Sequence, residues 1–186
     1  MRGVRTSPSG VPLLNDMLSR VRASSRTPLL AFVNADIVLG PSFGRAMEAV
    51  CAVFDEGTPF LVIGRRFDVS LEAPLDFDDP AWVDRLDAAA AAPGAHMQNE
   101  LYKDYFVFSR SLWGDADVPP LTVGRAAVDD WIVKSGLLRG PVVDISLAVP
   151  AFHANHSYWH VAGGQEVRAM PGCCAPTLSL SLCYLS

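Results

Sequence analysis

The sequence predicts an α/β protein, a layered sheet with helices on its faces, and three observations carry that prediction. Four short apolar runs, Leu29–Val33, Phe60–Ile63, Tyr105–Phe108 and Val142–Ile145, are continuous or nearly so rather than alternating. Runs of this kind suit strands covered on both faces, as in a parallel sheet. Between them stand stretches whose apolar residues recur at helical spacing, and turn residues such as Gly57-Thr58-Pro59 and Pro93-Gly94 separate the two. Strands that alternate with helices build a layered α/β architecture. A chain of 186 residues suits one domain.

Each element has its own reason. Val11, Leu14, Leu18 and Val21 share a helical stripe, so Val11–Ser24 is expected to be a helix with Pro12 in its first turn. Pro28 ends that pattern before the first strand. Phe43, Met47, Val50 and Phe54 mark a second helix, on which Cys51 reads as a small buried residue. Asp68 to Pro80 is acidic and reads as irregular. The alanine-rich segment Trp82–Ala92 has high helix propensity and stops at Pro93-Gly94. Asp115–Val123 reads as loop and Ala126–Leu137 as helix. After the fourth strand, Pro150 and its apolar neighbours suggest a strand end that leads into a histidine-rich loop. From Met170 to Ser186 there is no charged residue; the Ser-Leu alternation fits a strand, and a disordered tail fits as well.

Composition narrows the function. The formal net charge is −5 and charged residues make up 19%. Nucleic acid and acidic membranes normally need a basic face, so neither is an expected partner. No apolar run reaches the roughly 18 residues that cross a bilayer, so no membrane segment is expected in this chain. The basic residues of Met1–Gly10 are not followed by an apolar stretch, so no signal peptide is read and a cytoplasmic location is expected. The four cysteines include no C-x-x-C pair, which argues against a zinc ribbon or a redox motif.

Candidate chemistry lies at the strand ends. Asn34-Ala35-Asp36 follows the first strand, and open α/β sheets bind ligands at the carboxyl ends of their strands. Asp36 is a hard oxygen ligand suited to magnesium or manganese; an Asx turn explains the tripeptide equally well. Arg65 and Arg66 follow the second strand and suit bidentate phosphate contacts, or are plain surface charges. Asp104 precedes the third strand, as a boundary residue or a hydroxyl-binding one. Gly124-Arg125 leads into Asp129-Asp130-Trp131. Two adjacent carboxylates cannot both be deeply buried without partners, so one of them suits a site and a general-base role. An acidic helix start is the plainer explanation. Finally, His153, His156 and His160 are three of the four histidines in the chain. Imidazole is a common metal ligand and acid–base group, so zinc is one reading and a ligand-free loop another.

Taken in order, these pieces resemble a known group. Asn34-x-Asp36-Ile37-x-Leu39, Gly64-Arg65-Arg66, Asp104-Tyr105-Phe106-x-Phe108, Gly124-Arg125 with Asp129-x-Trp131, and His153-x-Asn155-His156-x-Tyr158-x-His160 are similar to glycosyltransferase-like proteins of the GT-A superfamily. The resemblance runs from about Val11 to His160. It implies a Rossmann-like sheet that binds a nucleotide-diphospho-sugar. Residues 1–168 would form the GT-A-like domain and residues 169–186 a tail. About thirty residues precede Asn34, fewer than the nucleobase-binding strands of such domains need, so the domain is expected to be partial at its N-terminus.

The resemblance also implies roles. Asn34-Ala35-Asp36 stands at the Asp-x-Asp motif, with Asp36 and His153 as ligands of a divalent ion, manganese or magnesium. Asn34, Arg65, Arg66, Asp104, Arg125 and His156 are the implied substrate-binding residues. Asp129 and Asp130 are the implied catalytic pair. The expected reaction is metal-dependent transfer of a sugar from a nucleotide-diphospho-sugar donor to a carbohydrate or other hydroxyl acceptor. Two rival readings stay open: a degenerate or truncated domain that binds without catalysis, and a zinc-binding domain built on the histidines.

Overall fold

A computed structural model describes residues 3–125, 127–155 and 183–184. The described elements run, in chain order, α1 (Leu14–Ser24), β1 (Leu29–Val33), β2 (Ile37–Leu39), α2 (Phe43–Val53), β3 (Leu61–Gly64), β4 (Phe67–Val69), α3 (Trp82–Ala91), β5 (His96–Met97), β6 (Tyr105–Ser109), α4 (Ala127–Leu137), β7 (Val142–Asp144), β8 (Ala151–Ala154) and β9 (Cys183–Tyr184). The four apolar runs all become strands of one sheet, in the order β1-β6-β3-β7-β9. A second sheet has the order β2-β8-β4-β5.

The main sheet is mixed, which corrects the expectation of a parallel one. β6 runs antiparallel to both β1 and β3, and β3 runs parallel to β7. The apolar runs have a different cause: both faces of the sheet are covered. Leu61 and Ile63 of β3, with Phe106 and Phe108 of β6, pack with Leu14 and Leu18 of α1 and with Val128 and Ile132 of α4. The alternate residues, Val62 of β3 with Tyr105 and Val107 of β6, pack with Met47 and Val50 of α2 on the other face. Period-two alternation within an apolar run thus feeds two cores at once.

The second sheet carries a third cluster. Val69 and Phe152 pack against Leu86 of α3, with Phe67 and Trp82 beside them. Its strands are two to four residues long. In the sequence β8 shows only as a strand end and part of β4 lies in a stretch that reads as irregular, while β2 and β5 carry no strand signal. Asp68 to Pro80 is not irregular throughout, since Asp68 and Val69 belong to β4.

Three smaller corrections follow from helix phase and packing. The first helix begins at Leu14, and Pro12 precedes it in an isolated bridge to Thr6. Cys51 is exposed, because Met47 and Val50 take the buried stripe of α2. Val21 is also exposed, at 40%. Among the described residues, no helix is long and apolar enough to cross a membrane.

One glycine is required by a close approach. At Gly64, the last residue of β3, an added Cβ would lie 1.8 Å from the ring of Tyr105. Tyr105 is Gly64's partner in the β3–β6 register and is fully buried. The glycine lets that ring cross the strand end, directly beside the polar cluster described next.

Candidate active site

Strand direction gathers the site. β1, β3 and β7 point the same way, and β6 points the other way. The carboxyl ends of β1, β3 and β7 therefore meet the amino end of β6 at one edge of the sheet. Asn34, Arg65, Asp144 and Asp104 stand at or next to those ends. The second sheet begins at the same place, since β2 follows Asp36 and β4 follows Arg66.

Register explains which groups touch. β8 is flanked by β2 and β4, with His153 opposite Ile37 on one side and Asp68 on the other. His153 and Asp68 point away from the face where Phe152, Val69 and α3 pack, as alternation requires. His153 is 3% exposed and stands between two carboxylates. Its Nε2 is 3.2 Å from Asp36 Oδ2 and its Nδ1 is 3.1 Å from Asp68 Oδ1. The implied ligands Asp36 and His153, far apart in sequence, are thus neighbours.

Arg66 links the two sheets. Its Nε donates to Asp68 Oδ1 at 2.7 Å and its Nη1 donates to Asp104 Oδ1 at 2.5 Å. Asn34 Nδ2 donates to the same Asp104 oxygen at 3.1 Å, and Asn34 N–H donates to the Asp104 carbonyl at 3.0 Å. Gln98 Nε2 donates to Asp68 Oδ2. Burial pushes the Asp68 carboxyl up, but the hydrogen bonds from Arg66 and Gln98 and the nearby charges outweigh it and hold it below the usual range. Nε and Nη1 of Arg66 and Nδ2 of Asn34 are therefore engaged within the protein. The Arg66 guanidinium thus bridges two carboxylates through Nε and Nη1.

Arg65 follows β3 at the same edge of the sheet. Its backbone N–H donates to Ser146 Oγ at 2.9 Å, while its buried Nε has no hydrogen-bond partner. Lys103 lies nearby; burial is the main effect that lowers its ammonium pKa, opposed by Asp144 and reinforced by Arg65. Asp104 is 2% exposed and its Oδ2 also has no hydrogen-bond partner.

The adjacent carboxylates of α4 part company. Burial, then the charges of Asp104 and Asp130, push Asp129 up to about 6. Asp129 thus faces the cluster of Asp104 and Lys103. Asp130 turns to solvent with a 70% exposed side chain and pairs with Lys134 at 3.4 Å. It is not part of the cluster, because the next helical position points about 100° away. Arg125 is exposed ahead of α4, and its carbonyl accepts from Val128 N–H at 3.1 Å. His156 and His160 lie outside the described residues.

Three residues of the cluster were not singled out in the sequence: Asp68, Gln98 and Lys103. Phe67-Asp68-Val69 does show apolar–polar–apolar alternation after Gly64-Arg65-Arg66, and that was the available signal. Among the described residues, no group of three or more His, Cys, Asp and Glu side chains is arranged to hold a metal ion. A scan against models of protein families, a search of curated proteins and a search of solved structures each return no match.

Proposed function

We propose that this chain is a GT-A-type nucleotide-diphospho-sugar transferase domain, with its donor site at Asp36 and His153. The observation that carries the reading is the meeting of these two side chains at 3.2 Å, next to the carboxyl ends of the sheet strands. Asp68 takes the Nδ1 side of the ring, so a neutral imidazole turns its Nε2 lone pair toward a carboxylate oxygen. Two acceptors facing each other favour a cation between them. Neighbouring ligand atoms on an octahedral ion are about 3 Å apart, given bonds of about 2.1 Å, so the observed spacing fits one shared divalent ion. Magnesium-type ions commonly take one or two protein ligands and complete their shell with water and phosphate oxygens. Two protein ligands are therefore compatible with manganese or magnesium on a diphosphate. When bound, such an ion would neutralise charge on the departing diphosphate.

The chain's own groups supply the rest. Asp129, raised to about 6 by burial and by the charge of Asp104, is mostly ionised at neutral pH yet basic enough to take a proton. In transfer with inversion, the acceptor hydroxyl oxygen bonds to the anomeric carbon as its proton passes to Asp129. The bond from that carbon to the phosphate oxygen breaks, and its electron pair leaves with the nucleoside diphosphate. Arg65 and Lys103 hold anionic or hydroxyl groups beside Asp104. Asn34, Arg66 and Asp104 brace the loops that carry the site.

The test is release of nucleoside diphosphate from a panel of uridine- and guanosine-diphospho-sugars with manganese present. Turnover is expected with at least one donor and is expected to fall about 10²- to 10⁴-fold in Asp129→Asn. Full turnover in Asp129→Asn would remove it as the base. A binding-only domain has one observation in its favour. Asn34, where the motif resembled here has a carboxylate, donates to Asp104, so of the two motif positions Asp36 alone brings negative charge to the ion. Diphosphate binding without sugar release from any donor would favour that reading.

A further inference from the structure

His153 is held by two different carboxylates. Asp36 lies between β1 and β2 with a 47% exposed side chain. Asp68 lies within β4 with a 10% exposed side chain and is fixed on both oxygens. Arg66 Nε donates to its Oδ1 at 2.7 Å and Gln98 Nε2 donates to its Oδ2. Arg66 is itself anchored by Asp104, which starts β6 in the main sheet. The position of Asp68 is therefore set by both sheets.

An ionised carboxylate can only accept hydrogen bonds. The ring nitrogen that faces Asp68 at 3.1 Å, Nδ1, must then carry a hydrogen. A neutral ring has one hydrogen for two carboxylates; Asp68, the more buried of them, takes it at Nδ1, and Nε2 then faces Asp36 at 3.2 Å with its lone pair. We infer that Asp68 is a positioning residue, which through the Nδ1–H of His153 fixes the tautomer and orientation of the ring so that Nε2 is offered to a divalent cation shared with Asp36. This rests on the reading of Asp36 and His153 as cation ligands. Metal-bound histidines nearly always donate their second N–H to a carboxylate, carbonyl or water, and loss of that partner typically weakens metal binding 10- to 100-fold. The parallel β4–β8 register is what places Asp68 beside His153, so this role follows from backbone pairing and does not depend on a flexible loop.

Two measurements on the full chain test it. Manganese alone is titrated into wild type, Asp68→Asn, Asp68→Ala and Asp36→Ala, with the free ion followed by electron paramagnetic resonance. The nitrogen-15 signals of the neutral His153 ring are recorded without metal. Both Asp68 variants are expected to bind manganese about 10- to 100-fold more weakly while still melting cooperatively. The wild-type ring is expected to be the Nδ1–H tautomer, and that preference is expected to be lost in Asp68→Ala. Wild-type affinity in both Asp68 variants, with binding lost in Asp36→Ala, would overturn the positioning role and leave the ligand pair standing. No manganese binding by wild type would overturn both. If the Asp68 variants fail to fold, the wild-type spectrum decides alone: an Nε2–H tautomer contradicts the inference.

Discussion

Asp129 and Asp130 are neighbours on α4 with opposite surroundings. Val128 and Ile132 face the core, and the helical turn between them carries Asp129 toward Asp104 and Asp130 toward solvent. The sequence made the pair visible but not which member turns inward, because that depends on where α4 meets the strand ends. The difference has a consequence for stability. The Asp129 carboxyl is pushed up in the fold, to about 6 from the ordinary aspartate value of 3.8, so the folded state binds the extra proton. Stability from this group is fully present below about pH 4 and is lost as pH rises through about 6. Asp129→Asn is therefore expected to raise the melting temperature relative to wild type above pH 6 and to leave it nearly unchanged near pH 4. Melting curves across that range check it; a pH-independent difference would mean that Asp129 is not under this strain. Arg66 has the opposite role. It neutralises Asp68 and Asp104, which have 10% and 3% exposed side chains. Arg66→Met strands both and is expected to cost about 3–5 kcal/mol, read by urea unfolding.

At the scale of elements, the strands that were legible and those that were not differ in length and cover. β1, β3, β6 and β7 are apolar runs, the last three buried on both faces and β1 fully buried on one only, and the sequence places them to within one or two residues. β2, β4, β5 and β8 have two to four residues, too few to establish a period. Their pairing depends on partners distant in the chain. That is also why Asp68 escaped notice although Asp36 and His153 did not: its meaning comes from the β4–β8 register. Relative strand direction was misjudged for a related reason. Double-sided burial makes a strand apolar whether its neighbour is parallel or antiparallel, so the antiparallel β6 looked like the rest. The β3–β6 pair offers a sharp test of its register. Gly64→Ala would press a methyl group into the Tyr105 ring, and a forced shift in a packed core costs about 1–3 kcal/mol. A loss of that size in chemical denaturation is expected. No loss would mean that the ring does not cross Gly64.

Across the whole molecule, the chain is a mixed α/β fold whose two sheets meet where its polar residues gather. The main sheet and its helices form the two larger cores. The small sheet with α3 carries His153 and Asp68, while the connection from β1 to β2 brings Asp36. Arg66 and Asn34 bind Asp104 and tie these parts together. That polar residues gather at the strand ends was legible from Asn34-Ala35-Asp36 and Asp104; the internal wiring of the cluster was not. The central claim is that this junction binds a nucleoside diphosphate through a divalent ion. Thermal-shift titration with manganese, alone and with uridine or guanosine diphosphate, tests it most directly, since a ligand that binds only the folded state raises its melting temperature. The expected result is a manganese-dependent rise with one of the nucleotides in wild type that disappears in Asp36→Ala. A well-folded wild type that shows no such rise, or an equal rise in Asp36→Ala, would contradict it.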